Sequence, residues 1–284
     1  MLILLVLTGC FETETEIHSV RDTGVQEEAL LADVAGESAV CLALHGEGKR
    51  DIVAIGMDSG DIAPVMELPD EMLHGKAASI NSLARVDQHL YWCGDEQLLH
   101  RVNLLTGAVD ASTHDYERYC QSVTDVGGGI MVLSDPGVAP LYWYANWEDF
   151  LADHYTPVLA NHRGSRIGRR AGEIVTAWHS TDYLERFDAA SGTSVGDALL
   201  EGYDTWVWGL SGVGDRVFVM DDGRNGDGSD QTRIVTFDPS GTELSTLPLG
   251  EGVNPNGLTC SGPFDPDTFV DDDPTEGTGP GLEF

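Results

Sequence analysis

The stretch Arg101-Val102-Asn103-Leu104-Leu105-Thr106-Gly107-Ala108-Val109 decides the fold that we predict for this chain. An apolar residue ends one strand, Asn103 begins a turn, and Gly107 supplies the positive φ from which the next strand starts. The same order of residue types returns at 55–60, 186–192 and 236–241, where an aspartate replaces the asparagine. The chain therefore contains a repeated strand–turn–strand unit.

The spacing of these units indicates the length of the repeat. The turn glycines, at positions 60, 107, 192 and 241, are 47, 85 and 49 residues apart. Because 85 is close to twice the shorter spacings, we expect a degenerate copy near Tyr144 to Asp149.

A β-rich run precedes each turn and predicts a further strand of the same unit. These runs are Ala39–Leu44, His89–Trp92, Gly129–Leu133, Glu173–Trp178 and Asp215–Met220. A shorter strand lies further upstream, as at Trp208–Gly212. Four short strands in about 40–50 residues are typical of a propeller blade, so we predict an all-β, five-bladed β-propeller over residues 38–262. Six blades remain an alternative, because Leu30–Val34 would serve as an inner strand of its own.

The two ends of the propeller segment are incomplete in complementary ways. Asn256–Gly262 reads as the inner strand of a blade with no strands after it, whereas Ala39–Leu68 reads as outer strands without an inner one. We therefore expect the ring to close by pairing the N-terminal with the C-terminal strands. This closure places Cys41 beside Cys260.

The first ten residues predict the location of the protein. Met1–Val6 is apolar, and Leu7-Thr8-Gly9-Cys10 resembles a bacterial lipobox, whose cysteine receives the lipid. The resemblance implies that residues 1–10 form a lipoprotein leader, 11–37 an acidic flexible tether and 263–284 an acidic disordered tail. It places the protein in the cell envelope, anchored to the outer membrane or the cell surface. No basic residue precedes the apolar run, which suggests an upstream start codon; the alternative is a buried N-terminal strand with a chance cysteine.

The cysteine count agrees with export. Without Cys10, four of the five cysteines remain, and an even number in an oxidising compartment suggests two disulfides with three possible connectivities. Strand adjacency favours Cys41 with Cys260. It also favours Cys93, on a second strand, with Cys120, on the first strand of the next blade.

The net charge of the chain limits which classes of molecule it can bind. The formal net charge is −33, and the lysines are Lys49 and Lys76. Such a surface repels phosphate backbones, which argues against nucleic acid as a partner. A salt-rich habitat and an acidic exported protein that meets divalent cations remain alternative explanations.

The repeats, together with the lipobox, resemble those of bacterial β-propeller lipoproteins, and they are similar to NHL-like and gluconolactonase-like propellers. In gluconolactonase-like propellers the Asn of an Asn-Gly-Leu element binds a central metal, and Asn256-Gly257-Leu258 resembles that element. The family's glutamate and aspartate ligands have no clear counterparts here. The alternative is that Asn256 belongs to a turn before an inner strand.

An acidic loop gives a second candidate for a metal. Asp221, Asn225, Asp227 and Ser229 alternate along it and offer oxygen ligands suited to Ca²⁺. The loop lacks the bidentate glutamate of an EF-hand, so a solvated hairpin loop is the alternative.

Four arginines cluster in this acidic chain, and we consider them a candidate anion site at the channel mouth. They are Arg163, Arg166, Arg169 and Arg170. The alternative is that they pair with the protein's own carboxylates.

The sequence contains a complete fold signature without a complete catalytic set, since HExxH, P-loop and dinucleotide-binding motifs are absent. We therefore predict a membrane-anchored propeller that acts as a binding or scaffold module for a protein or a glycan. A metal-dependent hydrolase of lactonase type, which would use the channel, is the main alternative. A purely structural envelope component is a third.

Overall fold

The structure is a computed structural model. It describes residues 34, 36–45, 51–68, 82–94, 98–112, 120–134, 141–158, 162, 164–178, 180–181, 183–200, 205–221, 232–250 and 255–262. These residues form five antiparallel sheets and one short helix, arranged as a five-bladed propeller. The predicted fold class and blade number are confirmed. Of the alternative sixth inner strand, residues 30–33 lie outside the described part of the chain, and Val34 is buried in a helical turn.

The strands follow one order in every blade, from the channel outward. Blade 1 contains β1 (Val40–His45), β2 (Asp51–Gly56) and β3 (Ile62–Glu67), with β21 (Asn256–Ser261) as its inner strand. Blade 2 consists of β4 (Leu83–Val86), β5 (His89–Cys93), β6 (Leu99–Asn103) and β7 (Val109–Ser112). Blade 3 consists of β8 (Ser122–Val126), β9 (Gly129–Leu133), β10 (Leu141–Tyr144) and β11 (Thr156–Val158).

The last two blades continue this order. Blade 4 consists of β12 (Arg166–Arg170), β13 (Glu173–Ala177), β15 (Tyr183–Asp188) and β16 (Ser194–Leu199). Blade 5 consists of β17 (Thr205–Val213), β18 (Arg216–Asp221), β19 (Arg233–Phe237) and β20 (Glu243–Pro248). A two-residue strand from blade 4, β14 (Ser180–Thr181), pairs with the start of β17.

The ring closes as predicted. β21 pairs antiparallel with β1, and in this register Cys41 faces Cys260 and Val40 faces Ser261. Cys41 and Cys260 form a disulfide, and so do Cys93 and Cys120. The first bond joins the two ends of the ring within blade 1, and the second joins blade 2 to the start of blade 3.

The repeated turns connect the third and fourth strands of four blades. Their glycines have positive φ, between 67° at Gly192 and 88° at Gly241. The polar residue that opens the turn caps it: Asn103 Oδ1 accepts hydrogen bonds from the backbone N–H groups of Leu105 and Thr106, at 2.9 and 3.0 Å. The residue types that sequence reasoning singled out are therefore the ones that the turn requires.

Blade 3 departs from the repeat. In place of a degenerate turn near 144–150, α1 (Trp147–Leu151) connects β10 to β11. Asn146 caps this helix by accepting a hydrogen bond from the Asp149 backbone N–H at 2.8 Å. Trp147 and Phe150, three positions apart and so on one helix face, are both buried.

The core is divided among the five contacts between neighbouring blades. On β2, Ile52 and Ala54 pack toward blade 2, whereas Val53 and Ile55 pack toward blade 5. Successive side chains of a strand point to opposite faces of its sheet, so a strand covered on both faces is apolar throughout. This explains why the predicted second and third strands are nearly continuous apolar runs.

Buried serines connect neighbouring inner strands. Ser122 Oγ donates to Ser82 Oγ at 2.8 Å and accepts from the Ile167 backbone N–H at 3.0 Å. Ser211 Oγ accepts from the Cys260 backbone N–H at 2.9 Å. These hydrogen bonds fix the inner strands at the channel, where the candidate site lies.

Candidate functional site

One face of the propeller carries the turns that join first to second strands and third to fourth strands. We call it the turn face. The inner strands β4, β8, β12, β17 and β21 all run toward it, because each continues into its second strand, or ends, at this side. Two cavities open here.

The first is the channel cavity, of about 190 Å³, at the end of the central channel. Its walls come from blades 1 to 4, and its charged residues are Arg85, Asp87, Asp125 and Arg169. Cys260 and Ser261, at the end of β21, complete its rim. The cavity is therefore small and lined by apolar side chains together with both signs of charge.

An ion pair between two blades occupies the centre of this cavity. Arg169 Nε lies 2.7 Å from Asp125 Oδ2, and the Asp125 side chain is 9% exposed. Burial raises the pKa of Asp125, and this effect is opposed by Arg169, by Arg85 and by a hydrogen bond from Thr259. Burial also lowers the pKa of Arg85. The pair fixes the position of a guanidinium group at the channel mouth.

The second cavity is the groove, an open cleft of about 750 Å³ that runs outward across blades 3, 4 and 5. It is lined mainly by apolar and glycine residues of the turns, among them Val126, Gly172, Ala189 and Val213. Arg169, Cys260 and Ser261 line both the groove and the channel cavity, so the two are continuous.

The groove has an aromatic outer end. Trp143 lines it, and its indole Nε1 donates a hydrogen bond to the Val126 carbonyl at 2.9 Å, which fixes the ring. On the far side of Trp143 lies a shallower cavity with Asp149, Asp153 and Tyr155 in its wall. The groove thus extends from an anchored tryptophan to an anchored arginine.

The wall of the groove contains a network of charges on blade 4. Glu173 accepts from Arg170 Nη2 at 2.6 Å and from Arg186 Nη2 and Nε at 2.6 and 2.9 Å. The hydrogen bonds from Arg186 are the main cause of the lowered pKa of Glu173. The negative charge of this carboxylate is therefore neutralised within the protein.

The three described arginines of the predicted cluster do not share one site. Arg166 and Arg169 lie at opposite ends of β12, and Arg170 pairs with Glu173. Arg166 is buried and donates to the carbonyls of Val207 and Ser165, each at 3.2 Å, and burial lowers its pKa to about 10. Arg163 lies outside the described residues. Of the cluster, Arg169 is the member that the structure places at the channel mouth.

The predicted calcium ligands are only partly described. Asp221 is fully buried at the end of β18, where Arg233 Nε donates to both of its carboxylate oxygens at 3.1 Å. Asn225, Asp227 and Ser229 lie outside the described part of the chain. Within that part, no three His, Cys, Asp or Glu side chains are grouped as a metal site would require. Calcium binding by this loop stays a prediction.

Asn256 is the first residue of β21 and is buried opposite Leu44. It therefore lies in the inner strand itself, at the end of the channel opposite the turn face, rather than in a turn before the strand. Metal binding by Asn256 and the lactonase hypothesis stay predictions.

Sequence reasoning missed the residues that lie with Arg169 in the channel cavity. Asp125 and Arg85 come from separate inner strands and carry no motif. The signal nearest to Asp125 is the glycine run at 127–129, which marks the end of β8 and hence the level of the channel mouth. Cys10, the tail and most of the predicted tether lie outside the described residues. The described end of the tether is packed on the propeller: Val34 is buried in the core between blades 1 and 2, and Glu37 Oε2 accepts a hydrogen bond from the Ser59 backbone N–H at 3.3 Å. In the described ranges no helix is long and apolar enough to cross a membrane.

Comparisons with known proteins place the chain in no family. No family model and no curated protein sequence matches it. Among solved structures, it is similar to a chain in the crystal structure of a nidogen/laminin complex, at 14% identity and TM-score 0.49, over 78% of this chain and 97% of that chain. It is also similar to a protein of unknown function from Bacteroides caccae, at 12% identity and TM-score 0.49, over 79% and 98% of the two chains. A third is YCF48 bound to D1 peptide, at 12% identity, 75% and 68% coverage and TM-score 0.39.

Proposed function

We propose that this protein is a lipid-anchored, extracytoplasmic binding module that holds a protein or a glycan in the groove of its turn face. The observation that carries the proposal is the groove itself: an open cleft of about 750 Å³ with a mainly apolar lining and a few fixed polar groups. A concave, mainly apolar site with few convergent polar groups is the usual form of a ligand site.

The rigidity of the groove favours binding. Its walls are turns between paired strands, and its two side-chain landmarks are fixed by contacts, Trp143 to the Val126 carbonyl and Arg169 to Asp125. A preformed site loses little conformational entropy when it binds, so more of the contact free energy remains as affinity.

The proposed location depends on the lipobox and is supported by the two disulfides. Disulfides persist in oxidising compartments, outside the cytoplasm. A surface with a formal charge of −33 is repelled by anionic headgroups, so a lipid on Cys10 would supply the membrane attachment that electrostatics does not.

Two arrays test the binding function: a set of short peptides and a set of bacterial-envelope glycans, each probed with the labelled protein. Ala171 is exposed in the β12–β13 turn at the groove, so Ala171→Trp fills the cleft without entering the core. Leu244→Trp, on the exposed outer strand β20, is the matched control.

We expect the wild type and Leu244→Trp to bind members of one array, and Ala171→Trp to lose about tenfold or more in affinity. Binding that survives Ala171→Trp unchanged, or the absence of any bound probe on both arrays, would rule out the groove as the binding site.

A further inference from the structure

We propose that the groove recognises the C-terminal end of a partner protein, with the terminal carboxylate bound by Arg169 at the channel mouth and apolar side chains along the cleft. This inference rests on the proposed binding function and specifies what the same site recognises. Two observations support it: Arg169 lines both the channel cavity and the groove, and the charges around Arg169 are balanced within the protein.

Arg169 presents an unused edge to the groove. Its Nε faces Asp125 at 2.7 Å, and its side chain is 43% exposed. No residue in the described part of the chain hydrogen-bonds the two terminal nitrogens of this guanidinium. A guanidinium has five N–H donors in a planar fork, and a carboxylate fits two of them side by side.

The acidic residues of the groove wall already have hydrogen-bond partners within the protein, which reduces their repulsion of a bound carboxylate. Glu173, an acidic residue of the groove wall on β13, is already bound by Arg170 and Arg186. Asp188 accepts hydrogen bonds from Ser191 within its own turn, at 2.8 and 2.7 Å. Arg85 brings a second positive charge to the channel cavity beside Asp125. The two arginines of the channel cavity are thus matched by two aspartates, Asp87 and Asp125. The groove lining includes Arg169 but neither of these aspartates, so a carboxylate in the groove meets the guanidinium group first.

The net acidity of the protein does not oppose this contact decisively. The charges of distant surface residues are screened over about 8 Å at physiological ionic strength, whereas a guanidinium–carboxylate contact acts at about 2.8 Å. Long-range repulsion slows the approach of an acidic ligand, and short-range contacts determine whether it stays.

The cleft beyond Arg169 suits a peptide better than a glycan. Its walls are small apolar groups, such as Ala171, Ala189 and Val213, which accept aliphatic side chains. Gly172 and Gly214 line the cleft without side chains, so an extended main chain can approach the turns closely. The Gly172 carbonyl already accepts a hydrogen bond from the Ala189 N–H at 2.9 Å, so packing rather than strand pairing holds a peptide there. A glycan would need more hydroxyl partners than this lining offers.

The test compares two sets of arrayed hexapeptides of apolar composition, attached through their N-termini. One set ends in a free carboxylate and the other in a carboxamide of the same sequence. We expect the wild-type protein to bind the free-carboxylate set about tenfold or more tightly, because charge-assisted hydrogen bonds are lost in the amide.

Three variants separate recognition from folding. Arg169→Gln should abolish the preference for the carboxylate. Asp125→Asn, which removes the negative charge beside Arg169, should keep or increase it. The control is Arg216→Gln, which should leave the carboxylate preference unchanged. Arg216 lies on the turn face outside both cavities, with its guanidinium carbon 5.5 Å from the centre of the Phe218 ring. A preference that is lost in Arg169→Gln and retained or increased in Asp125→Asn cannot come from a general loss of stability, because both variants break the same ion pair.

Equal binding of carboxylate and amide peptides would overturn the inference, and so would a carboxylate preference that survives Arg169→Gln. Parallel assays with octanoate, as a lipid-like carboxylate, and with glycans test the other occupants. Binding of only these probes in the groove would also overturn the inference. Those results leave the proposed function standing as long as Ala171→Trp still blocks binding. If Ala171→Trp has no effect, the groove itself is not the site and the proposed function fails first.

Discussion

Cys41 and Cys260 face each other across β1 and β21, with their Cα atoms 4.0 Å apart and a sequence separation of 219. The bond therefore fastens the first blade of the ring at the point where the two ends of the propeller meet. Cross-links that close long loops remove the most entropy from the unfolded chain, and this one encloses nearly the whole fold.

Replacing both cysteines, as Cys41→Ser with Cys260→Ser, should lower the free energy of unfolding by about 5.4 kcal/mol in the loop-entropy model. Urea unfolding followed by fluorescence measures this loss. The comparison variant is Cys93→Ser with Cys120→Ser, whose bond spans 27 residues and should contribute about 3.5 kcal/mol. A larger loss from the short loop than from the long one would contradict the role of Cys41–Cys260 as the closure of the ring.

The turn of blade 2 depends on Asn103. Asn103→Ala removes the acceptor for the N–H groups of Leu105 and Thr106, and we expect it to cost about 1 kcal/mol of stability. Asn103→Asp should keep most of that stability, because aspartate occupies the same position at Asp188 and Asp238 and caps those turns. Thermal unfolding of the two variants measures this difference. If Asn103→Ala and Asn103→Asp have equal melting temperatures, capping is excluded as the reason for a polar residue at this position.

The charge network on Glu173 predicts a pH dependence. The folded-state pKa of Glu173 lies below its ordinary value of 4.5, chiefly because of Arg186. A carboxylate with a lowered pKa stabilises the fold above its ordinary pKa, and that contribution disappears as the pH falls through the lowered value.

Glu173→Gln should therefore lower the free energy of unfolding at pH 7 by about 1–3 kcal/mol, which thermal unfolding measures as a lower melting temperature. At pH 3 the melting temperatures of the variant and the wild type should differ less. Glu243→Gln, on the exposed strand β20, serves as the control and should change little at either pH. A deficit of Glu173→Gln that is the same at both pH values would mean that the carboxylate charge is not what stabilises blade 4.

The lipid anchor is tested at Cys10. Cys10→Ala removes the thiol that we propose to be acylated, and we expect the protein to move from the membrane fraction to the soluble fraction, since no other membrane attachment is proposed. Fractionation with a carbonate wash measures this, and Cys93→Ser is the control for the loss of a different cysteine. A Cys10→Ala protein that still sediments with washed membranes would contradict the lipobox interpretation.

The sequence by itself determined the blade architecture. Each turn unit requires a polar cap and a glycine at fixed positions, and these are local features that a sequence displays directly. The closure of the ring and the pairing of Cys41 with Cys260 followed from counting strands, because a propeller leaves no inner strand unpaired. Blade 3 was the exception: Trp147 and Phe150 bury one face of α1, and a single helical turn is too short to show a periodic pattern.

The tertiary structure alone decided the candidate site. Arg166, Arg169 and Arg170 are close in sequence, yet residues on one strand alternate between faces and spread along its length, so they reach three different surroundings. The groove and channel cavity combine residues from blades that are 40 or more positions apart, such as Asp125 and Arg169. Local periodicity fixes which face of a strand is buried, but the distance between side chains on different blades is fixed only when all five sheets pack around one axis.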